Sequence, residues 1–231
     1  MDFRVYDWLK NVLIGLAAPC CVLCRSPVRG ALELCLPCRG DLPWLTDGCP
    51  VCALPGVGGR TCGRCLRHPP PYDSATAAFH YEGDIARLVR RFKFHHDLPA
   101  GRLLSDLLAT RVPGHVAGGT VLVPMPLHRS RLRERGFNQA VEIARRLPGR
   151  IGHGLIRRTR ATTPQTGLQE RARRGNLRGA FAAGARAMPH GVVIVDDVVT
   201  TGASVTELAR TLKKAGVRRV DVVALARAAR G

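Results

Sequence analysis

The chain has 231 residues, a net charge of +19 from 36 Lys and Arg against 17 Asp and Glu, and nine cysteines. This length predicts two folded units, and the charge favours polyanionic ligands. No stretch reaches the roughly 18 apolar residues of a membrane-spanning helix, and six Phe, three Tyr and two Trp leave little aromatic material for stacking on nucleobases.

The first segment, residues 1–19, is expected to hold an amphipathic helix over residues 3–17. Val12 to Ala18 is apolar and precedes Cys20, the order found in signal peptides and lipoprotein anchors. Asp2 and Asp7 spoil the basic leader such a signal needs, however, and Pro19 occupies the would-be cleavage site.

Residues 20–68 carry four Cys-x-x-Cys pairs, Cys21/Cys24, Cys35/Cys38, Cys49/Cys52 and Cys62/Cys65, separated by ten, ten and nine residues. Pro or Gly flanks most of them, as in zinc knuckles. Eight thiolates suffice for two tetrahedral Zn2+ sites, and a segment with so little apolar material needs metal to stay folded. Disulfides suit secreted proteins, whereas evenly spaced Cys-x-x-Cys pairs suit metal. Four regular pairs also favour zinc over an iron–sulfur centre. Sequential pairing puts Cys21, Cys24, Cys35 and Cys38 on one ion, with Cys49, Cys52, Cys62 and Cys65 on the other. Cross-braced pairing of alternate knuckles satisfies the same spacing, although the short intervals favour two stacked ribbons. Cys20 is an odd ninth. Free thiolates require a reducing compartment, which predicts a cytoplasmic location.

His68-Pro69-Pro70-Pro71 reads as a stiff spacer, with the linker at residues 69–72. Residues 73–231 then alternate strand and helix patterns. Ala75 to Tyr81 reads as a strand, Ile85 to Phe94 as a helix carrying Leu88, Val89 and Phe92, and Gly101 to Arg111 as another helix. Thr120 to Val123 is a short buried strand that runs into Pro124-Met125-Pro126. Helix resumes at about Phe137 to Leu147, and Val217 to Ala226 supplies a last strand. This order predicts an α/β fold with a parallel, doubly wound sheet flanked by helices, preceded by the small zinc-ribbon domain.

Residues 191 to 204, GVVIVDDVVTTGAS, are the most informative stretch. Val192 to Val195 are β-branched throughout, as in a strand buried on both faces, and Asp196 and Asp197 fall where it emerges at its carboxyl end. Thr200, Thr201, Gly202, Ala203 and Ser204 are small, so a phosphate can approach backbone N–H groups at the start of a helix. That helix carries Val205, Leu208, Ala209, Leu212 and Ala215, with a capping-box pattern in Ser204 and Glu207 and a stop at Gly216. Carboxylate pairs offer only acceptors, which suits the vicinal hydroxyls of a ribose. The chain has neither a GxGxxG dinucleotide fingerprint nor a P-loop.

Between Arg129 and Arg186 lie fifteen Arg and only three acids, Glu134, Glu142 and Glu170. Much of this stretch lacks periodicity and is expected to include loops beside the site. Arginine holds phosphate through paired donors, although GC-rich coding also inflates its count. Asn138 and Gln139 suit either helix capping or ligand contact, and Lys93 and His95 either reach the site or cap a surface helix.

Residues 191–204 resemble the signature of the type I phosphoribosyltransferases. VPMPLHRSRLRERGFNQA (123–140), RTRATTPQTGLQERARRGNLRGAF (158–181) and YEGDIARLVRRFKF are similar to segments of the ComF family, whose ComFC-like members also begin with cysteine knuckles. Together these matches cover nearly the whole chain. The resemblance implies binding of 5-phosphoribosyl-1-pyrophosphate (PRPP), with Mg2+ carried on the substrate's own oxygens. It places Asp196 and Asp197 on the ribose hydroxyls, one of them steadying the ribosyl cation, and Thr200 to Ser204 around the 5′-phosphate. Pro124, Met125, Pro126, Leu127 and Arg129 would form the pyrophosphate loop, and Arg160, Gln165, Arg173 and Asn176 a flexible hood. It also implies a link to natural competence, with single-stranded DNA and competence proteins such as a helicase as partners, either of an enzyme or of a non-catalytic DNA-binding or regulatory module. Nothing identifies an acceptor pocket.

Overall fold

The structure is a computed structural model that describes residues 19–229 apart from 31, 118–119 and 161–176. The helix expected over residues 3–17 lies outside the described residues. Two compact units, Met1–Leu42 and Pro43–Gly231, divide the chain inside the cysteine segment, so each unit holds two of the four pairs.

Both units build their cysteine ribbon in the same way. In the first, Cys21 N–H donates to Ser26 O at 2.8 Å and Arg25 N–H to Cys21 O at 2.9 Å, with Arg25 in the left-handed region at φ 66°. Cys35 then heads the short helix α1 (Leu36–Gly40), and Arg39 N–H bonds back to Cys35 O at 2.9 Å. In the second, Cys49 N–H donates to Leu54 O at 2.9 Å, Ala53 N–H to Cys49 O at 2.7 Å, and Ala53 has φ 54°. Cys62 heads α2 (Gly63–Arg67), with Leu66 N–H on Cys62 O at 3.1 Å. Burial separates the two copies. All four cysteines of the second are buried in the apolar core of the larger unit, whereas in the first only Cys21 is buried.

The larger unit continues with β1 (Ser74–His80), α3 (Gly83–Phe94), α4 (Leu98–Ala109), α5 (Gly114–Ala117), β2 (Val121–Pro124), α6 (Arg129–Arg135) and α7 (Gln139–Ala144). Then follow β3 (Arg150–Ile151), β4 (Ile156–Arg158), β5 (Phe181–Ala183), β6 (Gly191–Val199), α8 (Ala203–Lys214) and β7 (Arg219–Arg227). Five strands form one sheet in the order β1-β7-β6-β2-β3, every neighbouring pair parallel, and β4 and β5 form a separate antiparallel pair. This is the parallel α/β architecture that the strand–helix alternation predicts.

Side-chain alternation distributes the buried residues of β6 over two layers. Val192 and Ile194 join Val205, Leu208 and Leu212 of α8 and the second cysteine set in one core. Helix α7 packs against β6 as well, and α4 packs on α3. Helix α3 buries Ile85, Leu88, Val89 and Phe92, spaced along a single face. Two expectations need revision. The helix placed at residues 137–147 is confined to Gln139–Ala144, because Asn138 caps it and Arg145 ends it. Residues 129–135, within a stretch expected only to include loops, form α6, whose mostly charged sequence buries no side chain and so carries no apolar period to read.

Helices α3 and α4 approach closely at Gly101, where an added Cβ would lie 2.4 Å from the ring of the buried Phe92. Gly101→Ala is therefore expected to destabilise the larger unit by about 1–3 kcal/mol through overpacking. A lowered urea midpoint measures this, and an unchanged one would show that the two helices part freely.

Candidate functional site

Parallel strands share one carboxyl edge, the usual place for ligands in such sheets. β2 accompanies β6 only as far as Pro124↔Val195, whereas β7 accompanies it to Val199↔Arg227. The aspartate pair thus stands within β6, where β2 turns away, rather than beyond the strand end expected from the apolar run. Asp197, 8% exposed, lies with Oδ2 2.7 Å from Lys93 Nζ at the end of α3, and its Oδ1 accepts Val198 N–H at 2.7 Å. Asp196 Oδ1 accepts Asp197 N–H at 3.0 Å. Loss of solvent around its carboxyl, reinforced by the Asp197 charge, pushes Asp196 up to about 8 against the attraction of Lys93. One aspartate is thus held by an internal ion pair, and burial disfavours the charged form of the other.

The phosphate turn follows directly. Gly202 adopts φ 78° and serves as N-cap of α8, a left-handed position that a Cβ would disfavour. Ala203 N–H donates to Thr201 Oγ1 at 3.3 Å. The expected Ser204–Glu207 capping box does not form. The helix starts at Ala203 with Gly202 as its cap, and the Glu207 carboxylate instead accepts Gly179 N–H at 2.8 Å and pairs with Arg210. Glu207 thereby anchors the base of the segment expected as a hood to α8.

Pro124, Met125, Pro126 and Leu127 leave β2 against the strand that carries the aspartates, with Met125 N–H on Val195 O at 2.8 Å. Asn138 donates to Met125 O and accepts Ala140 N–H, each at 3.0 Å, so it caps α7 while holding this loop in place. Gln139 is buried and bridges Arg135 Nη1 at 3.4 Å and Lys93 O at 3.5 Å. Both side chains therefore do structural work. Arg129 begins α6 and is exposed, whereas His95 ends α3 on the surface.

Arg160 follows β4 and donates to Arg178 O at 3.3 Å across the base of the hood, whereas Gln165, Arg173 and Asn176 lie outside the described residues. A residue not singled out from sequence enters here. The Arg158 guanidinium sits 5.6 Å over the Phe181 ring. Desolvation and the neighbouring Arg131 charge lower its affinity for a proton, and Asp196 opposes them. Arg158 Nε donates to Arg160 O at 3.4 Å, which ties it to the base of the segment expected as a hood. In so arginine-rich a stretch, no local pattern distinguishes Arg158.

The cysteine sulfurs group sequentially, Cys21, Cys24, Cys35 and Cys38 in one set and Cys49, Cys52, Cys62 and Cys65 in the other, each within 4.8 Å. Cys24 and Cys35 Sγ are 3.6 Å apart, Cys52 and Cys62 Sγ 3.7 Å. A tetrahedral zinc with Zn–S of about 2.3 Å needs sulfurs about 3.8 Å apart, whereas a disulfide needs about 2.0 Å. Burial raises Cys21, but N–H donors of Cys24, Cys35 and Leu23 outweigh it and leave that thiol at about 6. Sharing with Cys35 and Cys24 drives Cys38 upward. Thiols so crowded cannot all ionise without a cation among them, and both sets fit structural Zn2+.

Residues 132–231 match the phosphoribosyl transferase domain and residues 13–66 the double zinc ribbon domain. The chain is 35% identical over 219 residues to the DNA utilization protein YhgH of Escherichia coli strain K12, covering 90% of this chain and 96% of that protein. Against competence protein F of Haemophilus influenzae it is 32% identical over 221 residues, 84% of this chain and 96% of the relative. Against competence protein ComFC of Bacillus subtilis it is 29% identical over 192 residues, 80% and 79% of the two chains.

Two outcomes follow from this geometry. Cys24→Ser and Cys52→Ser are each expected to release one equivalent of zinc, measured by elemental analysis. Only Cys52→Ser, in the buried set, should lower the urea midpoint of the larger unit, and equal effects would contradict the difference in burial. Asp196 titrates near 8 when folded and roughly 3.9 when unfolded, so protonation favours the fold. The stability it contributes below about pH 4 is lost as pH rises to about 8. Asp196→Asn should stabilise the ligand-free chain by an increment that grows between pH 5 and 8, and an increment constant across that range would remove desolvation as the cause.

Proposed function

Because this chain belongs to the ComF family, a phosphoribosyltransferase domain joined to a double zinc ribbon, we propose that it binds PRPP with Mg2+ and transfers the ribosyl phosphate to an acceptor, releasing pyrophosphate. One observation carries this reading: the Asp196–Asp197 pair leads within three residues into the Thr200–Ser204 turn at the start of α8. The turn's N–H groups and hydroxyls take the 5′-phosphate, and the carboxylates take the ribose hydroxyls.

Among the described residues, the only groups of three or more metal-ligating side chains are the two cysteine sets. Mg2+ would be carried on the substrate's own oxygens, where it would offset the charge of the leaving group. The bond from C1′ to pyrophosphate breaks with its electron pair on oxygen, the ribose becomes cationic, and a nucleophile attacks the opposite side. Arg158, Arg131 and Arg129 supply fixed positive charge to the departing pyrophosphate, while Asp196, ionised once cations surround it, faces the developing positive ribose. The hood that the family resemblance implies, with Arg160, Gln165, Arg173 and Asn176, would exclude water from the substrate. The thiolate clusters support a cytoplasmic setting. No described helix is long and apolar enough to cross a membrane.

A second reading rests on the names borne by relatives, DNA utilization protein and competence protein F. On that reading the arginine-rich face holds single-stranded DNA beside partners such as a helicase, without turnover. Calorimetric titration with PRPP and Mg2+ separates the two. Binding is expected for the wild type and is lost in the Asp196→Asn, Asp197→Asn double variant, with pyrophosphate release following in a screen of acceptors. Wild type that ignores PRPP while retaining DNA would overturn the transferase reading.

A further inference from the structure

Arg227, the last residue of β7, is the largest fully buried side chain among the described residues, 2% exposed. Its guanidinium is a rigid fork of donors that stays charged, so its burial must be answered by acceptors held in fixed directions. Nε donates to Cys52 O at 3.1 Å, and Nη1 donates to Val199 O at 2.9 Å, to Ala228 O at 3.0 Å and to Thr200 O. The parallel register Val199↔Arg227 brings the side chain beside the end of β6. Cys52 belongs to the buried cysteine ribbon, and Val199 and Thr200 open the turn that precedes α8.

The direction of those carbonyls has a consequence. A trans peptide is planar, with its C=O and the following N–H pointing opposite ways. The Val199 carbonyl, which also accepts Ala228 N–H at 3.0 Å, and the Thr200 carbonyl turn inward onto Arg227, so the N–H groups of Thr200 and Thr201 turn the other way. We propose that Arg227 is a positioning residue of the ribosyl-phosphate site: by bracing the Val199 and Thr200 carbonyls against Cys52 of the second ribbon, it aims the Thr200 and Thr201 N–H groups at the 5′-phosphate. This rests on the phosphoribosyl reading above. A lysine offers a point charge rather than a fork and cannot serve Cys52 on one side and the turn on the other.

The test uses ribose 5-phosphate and inorganic pyrophosphate as separate probes of the full-length chain. In amide NMR of the wild type, ribose 5-phosphate is expected to shift the Thr200 and Thr201 signals. Arg227→Lys, checked for two zinc ions per chain, is expected to bind ribose 5-phosphate about tenfold to hundredfold more weakly and pyrophosphate with unchanged affinity. Amide exchange at Thr200 and Thr201 should accelerate in that variant. A general loss of structure would instead weaken both probes together, and that result overturns the positioning role. Wild type that binds ribose 5-phosphate without moving the Thr200 and Thr201 amides overturns this proposal alone, whatever the fate of the variant. Wild type that binds neither ribose 5-phosphate nor PRPP overturns the phosphoribosyl reading itself.

Discussion

The central constraint is the burial of β6 on both faces between two parallel neighbours of unequal reach. Val192 to Val195 fill apolar layers above and below, so a slip by one residue would carry Asp196 into the buried place of Val195. Because β2 stops at Pro124 and β7 continues to Arg227, the aspartates appear at a step in the sheet edge. The loop from β2, the turn into α8 and the base of the β4–β5 pair all converge on that step.

Charge is arranged around this step rather than merely accumulated. Lys93 holds Asp197, desolvation holds back Asp196, and Arg158 and Arg131 oppose each other nearby. The proposed ligand, a ribose bearing phosphates, would bring hydroxyl groups to the carboxylates and anionic oxygens to the arginines.

The elements most legible in the sequence are those whose period is set by burial. β6, α3, α8 and the parallel character of the sheet were readable because apolar side chains recur at the spacing their layers demand. Short intervals favoured the sequential cysteine sets but left the cross-braced pairing open until the sulfurs were placed. What escaped was set by tertiary context. Helix α6 buries nothing, the end of β6 is decided by how far β7 travels beside it, and Glu207 leaves its expected cap to hold Gly179. Arg158 and Arg227 are two among many arginines, and only their surroundings distinguish them: an aromatic ring and an aspartate for one, four carbonyls for the other.

The position of β7 also bears on how the fold is reached during synthesis. This late segment inserts between β1 and β6 instead of adding to a rim, so the early strands cannot complete their ladder until residue 227 has emerged. Each cysteine ribbon, by contrast, closes through short loops and can capture its metal while the chain is still growing. A metal-bound nucleus thus waits for a partner 175 positions away, Cys52 for Arg227. Such long-range closure makes slow consolidation the expected kinetic regime of the larger unit, with its sheet edges open to mispairing in the interval.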